Sequence, residues 1–177
     1  MDRQVPLGLL FLAVQFSDIL GALLVFFGIE RVIIIPGISE VNPMDLAYYP
    51  YSHSLAGTLL WSIAAYTLIS VLPLKKTINK KRFALVISGG IISHFILDYL
   101  VHPKDLPLLA TNSLLVGLGL TNHMVISYLL ETSMFLAGLS LYLGMISPRK
   151  RLGKQGIVIF GVFLIIINKN IFLYILN

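Results

Sequence analysis

The chain has 177 residues, 57% of them hydrophobic and 12% charged, with a mean hydropathy of +0.90; an average soluble domain carries roughly 25% charged residues, so an ordinary water-soluble globule is excluded. Cysteine is absent, which excludes disulfides and thiolate ligation and leaves nitrogen and oxygen as the donors for any metal. The net charge of +5 comes largely from two clusters, Lys75 to Arg82 and Arg149 to Lys154, that flank apolar runs; this is the topology signal of cytoplasmic loops, and no nucleic-acid partner is expected.

Apolar runs of the ~20 residues needed to cross ~30 Å of hydrocarbon take up most of the chain. The first, Leu7 to about Ile29, is too long for a signal peptide and lacks a small-x-small cleavage pattern, so it is predicted as helix one. The segment 30–51 is rich in Pro, Asn and Tyr and is expected to be ordered by turns and aromatic anchoring near the headgroups. A second helix is predicted over Ser52 to Leu74 and a third over Phe83 to about Val101. The segment near 103–120 is apolar but broken by Pro103, Pro107, Gly117 and Gly119. It reads as a re-entrant or interfacial segment, because irregular backbone at membrane depth survives only where protein or water satisfies it. A fourth helix over Asn122 to Ile146 and a fifth over Gly156 to Leu176 complete the expected fold: one all-α domain over 1–177, an integral membrane bundle of about five transmembrane helices. Lys and Arg are sparse in alternate loops and dense in the others. This orients the chain with the amino terminus cytoplasmic and the carboxy terminus outside, as a multi-pass protein of an inner membrane.

On this topology all four histidines, His53, His94, His102 and His123, fall in the outward half. Asp18, Asp98 and Glu131 lie within helices, where an ionisable group at the bilayer centre costs at least ~2.5–3.5 kcal/mol. In SHFILDYLVHPKDLP, His94, Asp98 and His102 are spaced i, i+4, i+8 and so share one helix face. Imidazoles and a carboxylate on one face are suited to a divalent cation such as zinc. The stripe is ~12 Å long at 1.5 Å per residue, so one ion cannot touch all three. Asp18, His53 and His123 are the candidate ligands from other segments. The competing reading is a structural hydrogen-bond network or a proton path. In it Asp18 bonds a neighbouring helix, His53 caps the second helix with Ser52 and Ser54, and Glu131 neutralises Lys169. In straight upright helices Asp18 lies ~16 Å below the outer end of its helix while His53 sits at the rim. Sharing an ion therefore requires the second helix to tilt or the chain around Pro50 to dip inward.

The runs NPMDLAYYPYSHSL, SHFILDYLVHPKDLPLL and GLGLTNH, with the aspartate in the first helix, resemble the small bacterial membrane-bound metal-dependent hydrolases, the LexA-binding inner-membrane-associated family, up to about Ser147. A looser resemblance is to zinc-dependent phospholipase C and the single-strand nucleases of the same helical fold. It implies that His94, Asp98 and His102 correspond to the core His-x-x-x-Asp element and a following histidine, His53 to a partner histidine, and Asp18 to a remote aspartate. The second His-x-x-x-Glu of those enzymes has no match, since Ser127 follows His123 at that spacing and the acid arrives at Glu131.

Two functions are carried forward. One is a membrane-embedded hydrolase in which a divalent metal, most readily zinc, activates water against a phosphoester or lipid-linked substrate near the outer leaflet. Asp98 is then a shared ligand, and Asp105 or Glu131 is a candidate general base. The other is a small transporter or ion-binding protein using its buried His, Asp and Glu. A transporter should continue the polar path to the cytoplasmic side, whereas the inward halves of helices two and three hold only uncharged groups such as Ser70 and Ser88. Membrane lipid is the expected partner in either case.

Overall fold

The computed structural model describes residues 5–37, 44–74, 78–109 and 113–145, together with Gln155, Val158, Ile159 and Val162. The predicted fifth helix, the Arg149–Lys154 cluster and Lys169 lie outside the described residues, apart from those four positions. The chain divides into two compact units, one of residues 1–38 and 43–119, the other of residues 39–42 and 120–177.

In the first unit the apolar run after Pro6 forms two helices, α1 (Leu7–Val14) and α2 (Phe16–Phe26), bent by 52° to one another. The break falls at Gln15, whose ψ of 7° leaves the helical range and interrupts the regular i to i−4 ladder. After α2 the chain does not stay irregular. Strands β1 (Arg31–Ile34) and β2 (Met44–Tyr48) pair antiparallel, with Arg31 opposite Tyr48 and a bulge between Arg31 and Ile33. This departs from the expected turn-rich segment, and β-branched Val32, Ile33 and Ile34 account for it.

Helix α3 (Leu55–Val71) is shorter at both ends than predicted. Ser54 is its N-cap, accepting from the Gly57 N–H at 2.8 Å, while Ser52 and His53 precede the helix. Helix α4 (Lys80–Val101) is capped by Asn79, which accepts from the Arg82 N–H. At 22 residues it is ~33 Å long, enough to cross the hydrocarbon. It packs against α1, α2 and α3. Ser62 and Ser88 donate to each other's backbone carbonyls at 3.1 and 3.0 Å, an interhelical pair that consumes both hydroxyls. An apolar core of Val5, Ile69, Phe83 and Ala84 closes the end where α3 finishes and α4 begins.

Beyond α4 the chain forms a two-stranded ladder, β3 (Leu106–Pro107) with β4 (Leu115–Val116). Its backbone is satisfied by protein: Leu118 N–H donates to the Tyr99 carbonyl at 2.8 Å, Gly119 N–H to that of His102 at 2.6 Å, and Ala56 N–H to that of Leu108 at 3.0 Å. The first two of these bonds take up carbonyls that the end of α4 leaves open. Gly117 is here for close approach, since a Cβ on it would stand 2.0 Å from the Pro103 carbonyl oxygen. The second unit contains a 3-10 turn (Leu120–Asn122) and helix α5 (Met124–Met145). Among the described residues, α4 and the stretch Met124–Leu141 are long and apolar enough to cross a membrane, and the bent α1–α2 pair makes a third if counted as one span. The chain is mostly helical, with small β ladders that the all-α expectation did not include.

Candidate metal centre

Asp18 sits in the first turn of α2, directly after the bend, where open backbone N–H groups favour a carboxylate. Gln15, the residue at the bend, donates from Nε2 to Asp18 Oδ2 at 3.2 Å. The other oxygen, Oδ1, faces two imidazoles: His53 Nε2 at 3.3 Å and His94 Nε2 at 3.4 Å. Both histidines are buried and Asp18 is half-exposed, so the group is open on the aspartate side.

His53 reaches this point because residues 49–54 are packed and not extended. Tyr49, Pro50, Ser52, His53 and Ser54 are all buried. Ser54 Oγ donates to the Pro50 carbonyl at 2.6 Å, and Trp61 Nε1 to that of Tyr51 at 2.9 Å. The His53 ring meets Tyr49 edge-on at 5.2 Å and His94 at 5.6 Å between centroids. On the remaining side lies Gly21, one turn after Asp18, where a Cβ would come within 3.1 Å of His53 Cε1 and of Ser52 Oγ. Burial and the nearby Glu30 and Asp18 carboxylates push the Tyr49 phenol up. The depth problem posed by straight helices is thus resolved by the bend at Gln15 and by the buried path through Pro50.

Among the described residues, Asp18, His53 and His94 form a group in which one ligand atom from each lies within 4.8 Å of the others. A tetrahedron with bonds of about 2.0–2.1 Å has edges of about 3.3–3.4 Å, which the two Asp18–imidazole separations match. Asp98, one turn along α4, has Oδ2 at 3.2 Å from His94 Nε2. Both of these buried atoms are without a hydrogen-bond partner among the described residues, an arrangement that costs energy unless something else satisfies them. The donor set, two imidazoles and a carboxylate, is one that a divalent cation such as zinc accepts.

The remaining candidates are elsewhere. His102 caps the end of α4 and its Nδ1 is straddled by the Asp105 oxygens at 3.3 and 3.4 Å. Burial presses this imidazole towards neutrality, but the Asp105 carboxylate, aided by Asp98, outweighs it and leaves the pKa raised. The i, i+4, i+8 stripe therefore splits: His94 meets Asp18 and His53 with Asp98 beside it, and His102 and Asp105 form a separate pair where the helix stops. His123 and Glu131, both exposed, belong to the second unit and are not in the three-residue group.

Sequence reasoning missed Glu30, which is 1% exposed. Its Oε1 accepts from the Tyr51 and Ser52 N–H groups, both at 2.9 Å, and its Oε2 from Ser52 Oγ at 2.5 Å. Ser52 Oγ is in turn 2.7 Å from His53 Nδ1. The only local signal was an acid at the end of an apolar run, which looks like any interfacial charge. Comparison with known proteins adds no relative: no family model, curated protein or solved structure matches this chain.

Proposed function

We propose that this chain is a multi-pass membrane protein that binds one divalent cation, zinc by donor chemistry, between Asp18, His53 and His94, and uses it to hydrolyse a phosphoester or lipid-linked substrate at the outer leaflet. The observation that carries the reading is the single oxygen, Asp18 Oδ1, standing 3.3 and 3.4 Å from two imidazole nitrogens contributed by two other segments of the chain. Three protein ligands with an exposed side describe a catalytic zinc site more closely than a closed structural one. When bound, the ion lowers the pKa of a coordinated water towards about 7 and polarises the substrate oxygen. Asp98, beside His94 and outside the three-ligand group, is positioned to accept the proton that water gives up.

Two further observations support hydrolysis over transport. Ser88 is consumed by its pair with Ser62, and Ser70 donates to the Tyr66 carbonyl of its own helix at 2.8 Å. Neither hydroxyl extends a polar path past the centre. The resemblance of the NPMDLAYYPYSHSL, SHFILDYLVHPKDLPLL and GLGLTNH runs to the membrane-bound metal-dependent hydrolases points the same way. The topology proposed with this function has five spans and a cytoplasmic amino terminus.

The test is metal analysis of the detergent-purified protein beside two activity assays in liposomes, one for release of phosphate, headgroups or fatty acids and one for flux of divalent ions. Near-stoichiometric zinc is expected in the natural chain and in Asp98→Asn, with loss in His94→Ala and Asp18→Ala variants of unchanged helicity. Hydrolysis should fall by about 100-fold or more in Asp98→Asn, the range that general-base removal produces. Full zinc occupancy in Asp18→Ala would sink the site, and zinc-dependent flux without hydrolysis would replace the hydrolase with a transporter.

A further inference from the structure

The hydrogen-bond chain from Glu30 through Ser52 to His53 has a direction. A serine hydroxyl owns one proton, and that of Ser52 is directed at Glu30 Oε2 at 2.5 Å. Facing His53 Nδ1 at 2.7 Å, Ser52 Oγ has only lone pairs left, so Nδ1 must bring the proton. With its proton on Nδ1, a neutral imidazole presents a lone pair at Nε2, and Nε2 is the atom 3.3 Å from Asp18 Oδ1. We propose that Glu30, acting through Ser52, is a positioning residue that holds the His53 proton on Nδ1 and leaves Nε2 free to bind a cation.

The fold builds this relay. In the β1–β2 ladder Arg31 pairs with Tyr48, which brings Glu30, one residue earlier, level with Tyr49 and within reach of the Tyr51 and Ser52 amides. Those two amides fix the carboxylate in rotation, because both donate to Oε1. Gly21 closes the other side, with its missing Cβ directed at both Ser52 Oγ and His53 Cε1. A carboxylate that orients a metal-binding histidine through its second nitrogen is a common device of zinc sites; here a hydroxyl is inserted between them. The purpose of the relay rests on the metal reading above, but its existence rests on these distances alone.

Fixed rotation makes the Glu30→Gln variant a sharp test. The amide oxygen must stay on the two backbone donors, so its NH2 replaces Oε2 and donates to Ser52 Oγ. The Ser52 proton then turns onto His53 Nδ1, and the His53 proton moves to Nε2, where it blocks a cation. Backbone anchoring is retained, so a merely structural role for Glu30 predicts little change. The experiment is nitrogen-15 NMR of histidine-labelled protein in detergent, with His53 assigned by a His53→Asn variant, run before and after adding zinc(II). The expected result is a protonated Nδ1 in the natural chain with or without zinc, an unprotonated Nδ1 in Glu30→Gln, and zinc affinity lowered roughly 10–100-fold in that variant. In Ser52→Ala, which breaks the relay without reversing it, affinity should fall less. An unprotonated Nδ1 in the natural chain, or an Nδ1 proton that survives Glu30→Gln, overturns the relay. If the natural chain takes up no zinc while Nδ1 still loses its proton in Glu30→Gln, the metal reading fails and the relay stands.

Discussion

Gly21 shows how a single side chain's absence shapes the centre. A methyl group there would sit 3.1 Å from His53 Cε1, 3.1 Å from Ser52 Oγ and 3.3 Å from Tyr49 Cε1, so all three would have to give by a few tenths of an ångström. Replacing an interior helical glycine with alanine otherwise gains about 1 kcal/mol of helix propensity. The two effects are read by different instruments: Gly21→Ala should leave the thermal midpoint within a few degrees of the natural chain, yet weaken zinc binding by about 10-fold, the lower end of what displacing a ligand's supporting contacts costs. Unchanged affinity in a titration would show that His53 has room to spare. His102 gives a second prediction at this scale, in pH. Its folded pKa is raised by Asp105 against the opposing pull of burial. The pair's contribution is therefore fully present below about pH 6.5, the unfolded imidazole value, and is lost as pH rises through the higher folded value. With contacts of 3.3–3.4 Å, its size is on the order of 1 kcal/mol. The stability gap between the natural chain and Asp105→Asn should be widest near pH 6 and shrink in alkali, as followed by thermal unfolding. A gap that grows above pH 8 would contradict the pairing.

Among the elements, the start of α3 carries the heaviest constraint. Ser54 caps the helix and also donates to Pro50, and a Cβ on Gly57 would stand 2.6 Å from the Tyr51 backbone oxygen. Backbone cannot swing aside as a side-chain tip can, so Gly57→Ala must push the 51–54 stretch and His53 with it. On α4, Gly89 has nothing within 4 Å of its Cβ position. Gly89→Ala is expected to stabilise by up to about 1 kcal/mol and Gly57→Ala to destabilise by at least as much, with loss of bound metal. Thermal unfolding with metal analysis of both variants decides it, and equal effects at the two sites would show that the α3 start is loosely held. Much at this scale was legible beforehand. The uninterrupted apolar length of α4 and its His94–Asp98 spacing came through because both are properties of one helix. The break at Gln15 did not, since neither proline nor glycine marks it. The β1–β2 ladder was hidden because Val32, Ile33 and Ile34 sit among turn-forming residues.

For the whole molecule, the proposed orientation rests on the two basic clusters. A compartment-sensitive reporter fused after Asn79 should report the cytoplasm, and one fused after Asn177 the opposite side, because the positive-inside rule places the 75–82 segment inside. Identical signals would mean an even number of spans between those points and would move the centre's open face relative to the proposed substrate. The exposed apolar residues of α4 and α5, Leu85 and Ile96 on one and Leu129 and Leu141 on the other, are what lipid contact requires of such helices. Hydrolysis of a lipid headgroup further requires the half-exposed Asp18 to face the leaflet where that headgroup lies.

What the sequence by itself determined is whatever depends on neighbours a few residues apart: the apolar runs, and the spacing that sets His94 beside Asp98 on one helix. Periodicity and composition act locally, so they are readable without a fold. The tertiary structure alone decided which of the polar residues meet. His102 lies on the same helical face as His94 by spacing, yet α4 ends at Val101 and His102 turns to Asp105. Asp18 and His53 are 35 residues apart and straight helices would separate them in depth, yet the 52° bend and the buried Pro50 path bring them to 3.3 Å. Glu30 is placed by strand register against a loop twenty residues later. Convergence of this kind depends on where helices bend and how connections pack, and those are set by contacts across the whole unit, which no local pattern encodes.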